Sequence, residues 1–215
     1  MAEHLLVILA SAESGEHIKV DWQRVAETLR QLPGSADPVV YRTAGDDTAG
    51  PRVLAIFCVV DSQHRPPEIE LLLQPALGQN LDIRIYEPLP ASTQILVPTS
   101  RGKHYLVLNG MTPNDAAEQT FNDWYAQEHI PMLSVVPGWQ SSVRFRLLSA
   151  STSPPRYLAL HEWENRDAFD TAEFKAATNT PWRISVVVEQ VNKKERHLLE
   201  YKGTIEELKQ SSGWM

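Results

Sequence analysis

The sequence has 215 residues, of which 42% are hydrophobic and 22% are charged, and its formal net charge at pH 7 is −7. This length fits one larger domain or two small ones, with enough apolar residues for a buried core. Lysine and arginine are scattered without a basic block, so we expect no nucleic-acid partner. The one cysteine, Cys58, lies in the apolar run VLAIFCVV, which excludes an internal disulfide and indicates a buried thiol.

The chain opens directly on the apolar run HLLVILA, with neither a positively charged region nor a signal cleavage site. No apolar run approaches the roughly 20 residues that cross a bilayer as a helix. We therefore expect a soluble, cytoplasmic protein without a membrane partner.

Three segments of the first half recur in the second half. The strand-like runs HLLVILA and HYLVLNG begin at positions 4 and 104, and the helix-like segments VDWQRVAETLRQLPG and NDWYAQEHIPMLSVVPG begin at 20 and 122. The runs PRVLAIFCVVD (51–61) and PRYLALHEWEN (155–165) follow at equal intervals after the Pro-Gly pairs. The chain is therefore interpreted as two copies of one unit.

Each unit is predicted to run strand, helix, strand, strand, helix, strand, which is the ferredoxin-like order. A single unit of this kind leaves one sheet face uncovered, and two units in one chain can cover each other. The predicted fold class is α+β, with two ferredoxin-like βαββαβ repeats whose antiparallel sheets face each other in an intramolecular pseudo-dimeric α/β barrel. In the second unit the predicted elements cover 104–111, 114–134, 139–148, 156–164, 166–178 and 183–201, the last interrupted near Asn192.

The proline-rich segment before residue 104 suits an exposed connection between folding units. The predicted organisation is an N-terminal repeat over 1–90 that serves as scaffold and lid, a linker over 91–103, and a C-terminal repeat over 104–203 that bears the site. A short tail over 204–215 could dock on the barrel or fray.

The second half carries the motifs MTPNDAAEQTFNDWYAQEHIPML, VPGW, YLALHEWE and EFKAATNTPWR. Over about 104–201 it resembles the EthD-like proteins of the dimeric α/β-barrel superfamily, fungal type. Members of that superfamily usually pair two ferredoxin-like chains, whereas this chain looks like a fused pseudo-dimer. Its relatives include cofactor-free monooxygenases, muconolactone isomerases, polyketide cyclases and decarboxylases. The resemblance implies a small hydrophobic organic substrate without specifying a reaction.

A histidine lies at the end of the predicted helix FNDWYAQEHIPML, residues 121–133. Trp124 and Tyr125 lie on its apolar stripe, and His129 lies on or beside that stripe. Pro131 disrupts regular helix, so His129 falls where the chain bends. It could cap helix carbonyls or act in catalysis. The resemblance implies that the histidine of this motif often faces the barrel cavity.

The strand RYLALHEWE supplies the best predicted site. Alternation places Tyr157, His161 and Trp163 on one face and Leu158 and Leu160 on the other. We expect the leucines beneath the helices, and the aromatic and histidine side chains in a cavity between the sheets. The alternative is a purely structural aromatic core. A second pair of leucines, Leu106 and Leu108, is predicted on the helix-covered side as well.

Aligning the two repeats pairs His161 with Phe57 and Trp163 with Val59. The first repeat therefore has apolar residues where the second has polar ones. We expect Phe57 to provide apolar cover over a single site in the second repeat.

Several other residues of the second repeat are weaker candidates for substrate binding. Trp139 begins a strand whose lumen-facing side is ambiguous, and Arg144 on that strand could bind a carboxylate or remain solvated. Trp182 could cover the cavity mouth and Arg183 could anchor an anionic group, although packing roles are the simpler interpretation. No ligand spacing indicates a metal site.

The first functional hypothesis is a cofactor-independent enzyme in which His161 or His129 performs acid/base catalysis on a hydrophobic cyclic or polyketide-like metabolite. The reaction would be of the cyclase, isomerase, dehydratase or decarboxylase type. The alternatives are a cofactor-free monooxygenase on a phenol- or anthrone-like substrate and a non-catalytic protein that binds a small metabolite. The fused barrel could also pair as a homodimer.

Overall fold

The computed structural model of the chain describes residues 3–12, 18–35, 38–44, 52–61, 65–89 and 104–211. Its first half contains four strands and two helices, and the Asp21 carboxylate caps the first helix by accepting from the Arg24 N–H at 3.0 Å. These elements are β1 (Glu3–Ala12), α1 (Trp22–Arg30), β2 (Val39–Thr43), β3 (Arg52–Asp61), α2 (Pro66–Leu77) and β4 (Leu81–Pro88). The linker predicted at 91–103 lies outside the described residues.

The second half follows the same order with more divided helices. Two of its helical segments are π-helical turns, in which the backbone is wound more widely than in an α-helix. The elements are β5 (Tyr105–Pro113), α3 (Glu118–Trp124), the first π-helical turn (Tyr125–His129), α4 (Ile130–Leu133), β6 (Trp139–Ala150), β7 (Tyr157–Trp163), α5 (Ala172–Ala177), α6 (Pro181–Arg183), the second π-helical turn (Ile184–Glu189), β8 (Val191–Thr204) and α7 (Ile205–Gln210). None of the helices in the described ranges combines the length and the apolar character needed to cross a membrane.

The strand predicted over 183–201 begins later than the sequence pattern indicates. Residues 181–189 are helical, and β8 starts at Val191. The hydroxyl of Thr180 accepts a hydrogen bond from the Arg183 N–H at 3.1 Å, and Pro181 occupies the first helical turn. This capped helix start outweighs the strand preference of the β-branched residues that follow.

The eight strands form one closed barrel in the order β1-β3-β2-β8-β5-β7-β6-β4, with antiparallel pairing. The first four strands follow the order β4-β1-β3-β2, and the last four follow the equivalent order β8-β5-β7-β6. The pairs β2 with β8 and β4 with β6 join the two halves edge to edge, which removes exposed strand edges. The predicted α+β barrel is confirmed, and its origin as a fused pseudo-dimer stays a prediction.

The barrel interior, here called the lumen, is filled by apolar side chains from both halves. An eight-stranded barrel is only wide enough for its own side chains to fill. The lumen core includes Leu5, Val7, Phe57, Leu106, Leu108, Phe145, Leu158 and Leu160. These apolar side chains occupy the space between the sheets in which the ligand cavity was expected.

The predicted strand faces of the second half are reversed. Leu158 and Leu160 are buried, as expected, but they lie in the lumen rather than beneath the helices. Trp163, on the opposite face of β7, packs beneath the helical layer. Every residue of β7 is buried, so both faces of the strand are covered and alternation alone does not identify the inner face.

The predicted equivalence of Phe57 and His161 is wrong for the same reason. Phe57 points into the lumen, whereas His161 lies on the outer face of the barrel with Trp163. The two repeats therefore align one residue out of register in this strand, and a shift of one residue exchanges the two faces. Phe57 forms part of the lumen core and does not cover the site.

The start of the tail is docked. The Thr204 hydroxyl accepts from the Glu207 N–H while the Glu207 carboxylate accepts from the Thr204 N–H, a capping box that begins α7. Ile205 and Leu208 are buried in the apolar core beneath α1 and α2. The C-terminal helix thus completes the helical layer of the N-terminal half.

Candidate functional site

A cavity of about 250 Å³ lies between the outer face of the C-terminal strands and the helices that cover them. We call it the C-terminal cavity. Its apolar wall includes Met111, Trp124, Leu133, Trp163, Phe174 and Val187. Its polar lining includes Asn109, His129, His161, Arg183, Lys194 and Arg196. Mostly apolar walls with a few convergent polar groups are typical of small-molecule sites.

His161 is positioned by β7 and by two neighbours on β6. Its Nδ1 lies 2.7 Å from the Ser142 hydroxyl, and that hydroxyl accepts a hydrogen bond from Trp139 Nε1 at 3.0 Å. An indole nitrogen can only donate, so the serine retains its own hydrogen to donate to the imidazole. The other ring nitrogen, Nε2, is buried and has no hydrogen-bond partner among the described residues.

His129 ends the first π-helical turn, immediately before the segment that contains Pro131. Proline lacks the N–H that a continuous helix requires, and the wider turn accommodates this interruption. The ring stacks on Trp124 with centroids 4.4 Å apart, and it stands nearly perpendicular to His161 at 5.8 Å. The two histidines predicted as catalytic are therefore neighbours.

One nitrogen of the His129 ring lacks a partner in the described part of the chain. The backbone of Ala177 acts to raise the pKa of His129, against the larger lowering by burial, which is the effect of a nearby carbonyl on a ring N–H. The Nδ1 atom is buried and has no partner among the described residues. In the tautomer that carries its proton on Nε2, this nitrogen retains its lone pair and can accept a proton.

Both imidazoles are neutral near physiological pH. Burial is the largest cause of the lowered pKa of His129, and the charge of Arg183 adds to it, so that the pKa falls to about 4. Burial also lowers the pKa of His161 well below its ordinary value, with further contributions from His129 and Arg144. Neutral imidazoles can offer both a donor and an acceptor to a bound molecule.

The negative charge nearest the cavity is already compensated. Glu195 lies on β8 and accepts hydrogen bonds from Arg84 Nη1 at 2.7 Å and from the ring of His197 at 2.9 Å. Burial raises the pKa of Glu195, but the hydrogen bonds from His197 and Arg84 outweigh it and lower the pKa to about 2. Arg183, Lys194 and Arg196 thus leave the cavity with an excess of positive charge.

The structure brings together half of the predicted site residues. Those that line the C-terminal cavity are His129, His161, Trp124, Trp163 and Arg183. The cavity itself lies outside the barrel, on the opposite side of the sheet from the predicted position.

The remaining candidates support the cavity or lie elsewhere. Tyr125 is buried behind the two histidines, beneath the Arg144 guanidinium at 3.9 Å from its ring centroid. Trp139 acts through Ser142. Tyr157 donates a hydrogen bond to the Glu118 carboxylate and packs among the helix aromatics. Trp182 packs against the same apolar cluster, and Phe57 lies in the lumen.

Sequence reasoning missed the contributions of β6 and β8. Ser142 orients His161, and Lys194 and Arg196 share one face of β8, as their spacing of two residues predicts for any strand. The two cations could have been found by applying alternation to the run VNKKERHL, although alternation would not have told which face covers the cavity. Within the described ranges, no group of three or more histidine, cysteine, aspartate or glutamate side chains could hold a metal ion.

No family model matches the sequence, and no curated protein matches it. Solved structures with similar folds include an anthrone oxidase-like protein, at 11% identity and a TM-score of 0.58, over 95% of this chain and 93% of that one. A provisionally assigned monooxygenase from Fusobacterium nucleatum is 10% identical with a TM-score of 0.58, over 94% and 96% of the two chains. Chlorite dismutase from Candidatus Nitrospira defluvii is 12% identical with a TM-score of 0.56, over 95% and 93%. This likeness shows that the chain has the dimeric α/β-barrel (ferredoxin-like) fold.

Proposed function

We propose that the chain is a cofactor-independent monooxygenase that acts on a phenol- or anthrone-like substrate in the C-terminal cavity. The observation that carries the proposal is the pair of buried, neutral imidazoles of His129 and His161. Each has one ring nitrogen that forms no hydrogen bond with any described residue. A buried polar atom without a partner costs about 1–3 kcal/mol, which a substrate oxygen would recover. The likeness in fold to the anthrone oxidase-like and monooxygenase structures supports oxygen chemistry over the other hypotheses.

His129 is the proposed base and His161 the proposed donor. The unpartnered Nδ1 of His129 takes a proton from the substrate, and Nε2–H of His161, in the tautomer that accepts from Ser142, donates to the substrate oxygen. The positive charges that lower the histidine pKa values also stabilise a substrate anion, so they lower the pKa of the substrate as well.

The balance of the reaction requires only oxygen as co-reactant. Removal of the proton leaves an electron pair on the substrate ring carbon, and O₂ adds to that carbon. The resulting peroxide loses water, so one oxygen atom becomes the product carbonyl and the other leaves in water. The two C–H bonds of the reacting carbon supply the four electrons, and no external reductant is consumed.

The aromatic walls are proposed to hold the substrate ring. Trp124 and Trp163 line the cavity and are 0% and 1% exposed, so their positions are fixed by packing. Fixing one substrate orientation against the imidazoles supplies part of the rate enhancement. We also propose that the chain is an EthD-like protein of fungal type and a fused pseudo-dimer, which the equivalent strand orders of its halves support.

The decisive experiment is oxygen uptake with anthrone as probe, corrected for the rate without protein, together with quantification of the quinone product. We expect one O₂ consumed for each quinone formed. Conversion of a substrate without oxygen uptake would favour the isomerase, cyclase, dehydratase or decarboxylase class, which would use the same two histidines. Binding of the probe without its conversion would support the hypothesis of a non-catalytic protein that binds a small metabolite.

A further inference from the structure

The C-terminal cavity is cationic although the chain as a whole is acidic. The formal net charge is −7, yet Arg183, Lys194 and Arg196 all line this one cavity. The carboxylate beside them, Glu195, is already bonded to Arg84 and His197. The local excess of positive charge therefore does not follow from the composition and is a property of the site.

Within the described part of the chain, none of these three cations forms an ion pair with a carboxylate. Among the residues that the structure describes, no carboxylate oxygen lies within 4 Å of the charged nitrogens of Arg183, Lys194 or Arg196. The Arg196 side chain is exposed and Arg183 is half-buried. Partial desolvation, and after it the charge of Arg183, lowers the pKa of Arg196, and both residues line the same cavity, so the two guanidinium groups are near each other. Two arginines held together without a carboxylate are stabilised by an anion that binds between them.

The start of the helix that carries Arg183 is anchored to the aromatic wall. Its backbone N–H donates to the Thr180 hydroxyl at 3.1 Å, and that hydroxyl donates to the Glu128 carboxylate. The same carboxylate oxygen accepts a hydrogen bond from Trp124 Nε1 at 3.1 Å. The helix start that carries Arg183 is thus linked by two hydrogen bonds to a tryptophan of the cavity wall.

We propose that the substrate is an aromatic carboxylate, whose ring lies against Trp124 and Trp163 and whose carboxylate is bound by Arg183 and Arg196. Lys194 adds charge at the same side of the cavity. The guanidinium fork matches the two oxygens of a carboxylate, which gives orientation as well as attraction. This inference takes its site from the proposed function, but it concerns binding and is independent of whether oxygen reacts.

The test compares two ligands that differ only in the anionic group, 3-hydroxy-2-naphthoate and 2-naphthol, by isothermal titration calorimetry. We expect the naphthoate to bind about tenfold more tightly or better, which corresponds to about 1.4 kcal/mol, because its carboxylate accepts charge-assisted hydrogen bonds that naphthol cannot form. Raising the salt concentration from about 0.05 to 0.5 M should narrow this difference and leave naphthol binding unchanged.

The variants Arg183→Met and Arg196→Met should each remove most of the preference for the naphthoate while keeping naphthol affinity. Arg24→Met on α1 is the matched control, because it removes an exposed arginine of the other half and should keep the preference. Thermal melts establish that each variant is folded, and Arg183→Lys provides a charge-retaining second variant that should keep part of the preference.

The inference would be overturned by equal affinity for the two ligands or by binding of neither. It would also be overturned if Arg183→Met lowered the affinity for both ligands equally, which would indicate that Arg183 acts through packing alone. The two proposals fail separately in this design. A strong naphthoate preference in a protein that consumes no oxygen would refute the monooxygenase proposal and support the carboxylate-binding site. Oxygen uptake with anthrone, without a preference for the naphthoate, would support the monooxygenase proposal and refute the carboxylate-binding site.

Discussion

The two halves of the barrel share a strand order, but they cover the outer faces of their sheets differently. In the N-terminal half, Ile8 and Ile56 pack against Leu29 and Leu73, and none of the four is more than 1% exposed. In the C-terminal half, tryptophan and histidine side chains occupy the corresponding layer and leave a cavity of about 250 Å³. The branched aliphatic side chains of the N-terminal half interdigitate closely, whereas the rings of the C-terminal half meet both stacked and edge to face and line the cavity.

The helical layers differ in the same way. The N-terminal layer uses the α-helices α1, α2 and α7, whereas both π-helical turns of the described chain lie in the C-terminal half. The first turn ends at His129, and the second contributes Val187 and Val188 to the cavity wall. The wider turns thus border the cavity, in keeping with the frequent presence of π-helical turns at functional sites.

The first prediction has the largest expected effect. It tests whether the two cavity histidines of the C-terminal half have a catalytic role that a buried histidine of the N-terminal half lacks. His161→Ala and His129→Ala should each lower oxygen uptake with anthrone by about 10² to 10⁴-fold, because each removes a group that moves or holds a proton. His4→Ala removes an equally buried histidine outside the cavity and should keep the activity, with thermal melts reported for all three. Full activity in a folded variant that lacks both cavity histidines would refute the acid/base role.

The second prediction compares the filled lumen with the wall of the cavity. Leu160→Ala should lower the free energy of unfolding by about 2–5 kcal/mol, because the lumen closes on all sides and cannot collapse around the lost atoms. Leu133→Ala should cost less, since Leu133 is equally buried but already borders an empty space. Denaturant unfolding of both variants measures the difference, and equal costs would contradict the contrast in packing.

The third prediction concerns pH. The pKa values of both cavity histidines are lower in the folded protein, so the unfolded chain takes up these protons first as the pH falls below about 6.5. Stability is fully present above that pH and decreases toward pH 4, by at most about 1.4 kcal/mol per pH unit for each histidine. Melts of His129→Leu should show a shallower decrease than wild type between pH 7 and 5, and an unchanged slope would contradict the burial of a neutral His129.

The smallest effect is expected in the N-terminal half. Phe57 lies in the lumen, and Phe57→Leu keeps an apolar side chain there while removing part of the ring, so it should cost about 0.5–2 kcal/mol of stability. It should leave the affinity of the C-terminal cavity for 2-naphthol unchanged. Calorimetric titration checks this directly, and a weakened affinity would mean that the lumen core and the cavity are coupled through the sheet.

The internal repeat and the alternation of residues in β7 show which structural features the sequence pattern predicts and which it does not. The order of strands and helices in the described chain follows the predicted order, because apolar periodicity and helix caps are properties of neighbouring residues. His161 and Trp163 were placed correctly on one face together. The repeat was misaligned by one residue, since apolar residues occupy both faces of β3 and β7 and give no polar marker of register.

The sequence by itself determined the α+β class, the order of the elements and the two histidines as candidates, because each depends on local spacing. The tertiary structure decided which face of each strand is enclosed and where the cavity lies. It also decided that Lys194 and Arg196 join Arg183, residues that reach one another only when β8 pairs with β5 beneath the second π-helical turn. Those contacts depend on barrel closure, in which the narrow lumen takes the leucines and leaves the histidines and tryptophans to the helical side.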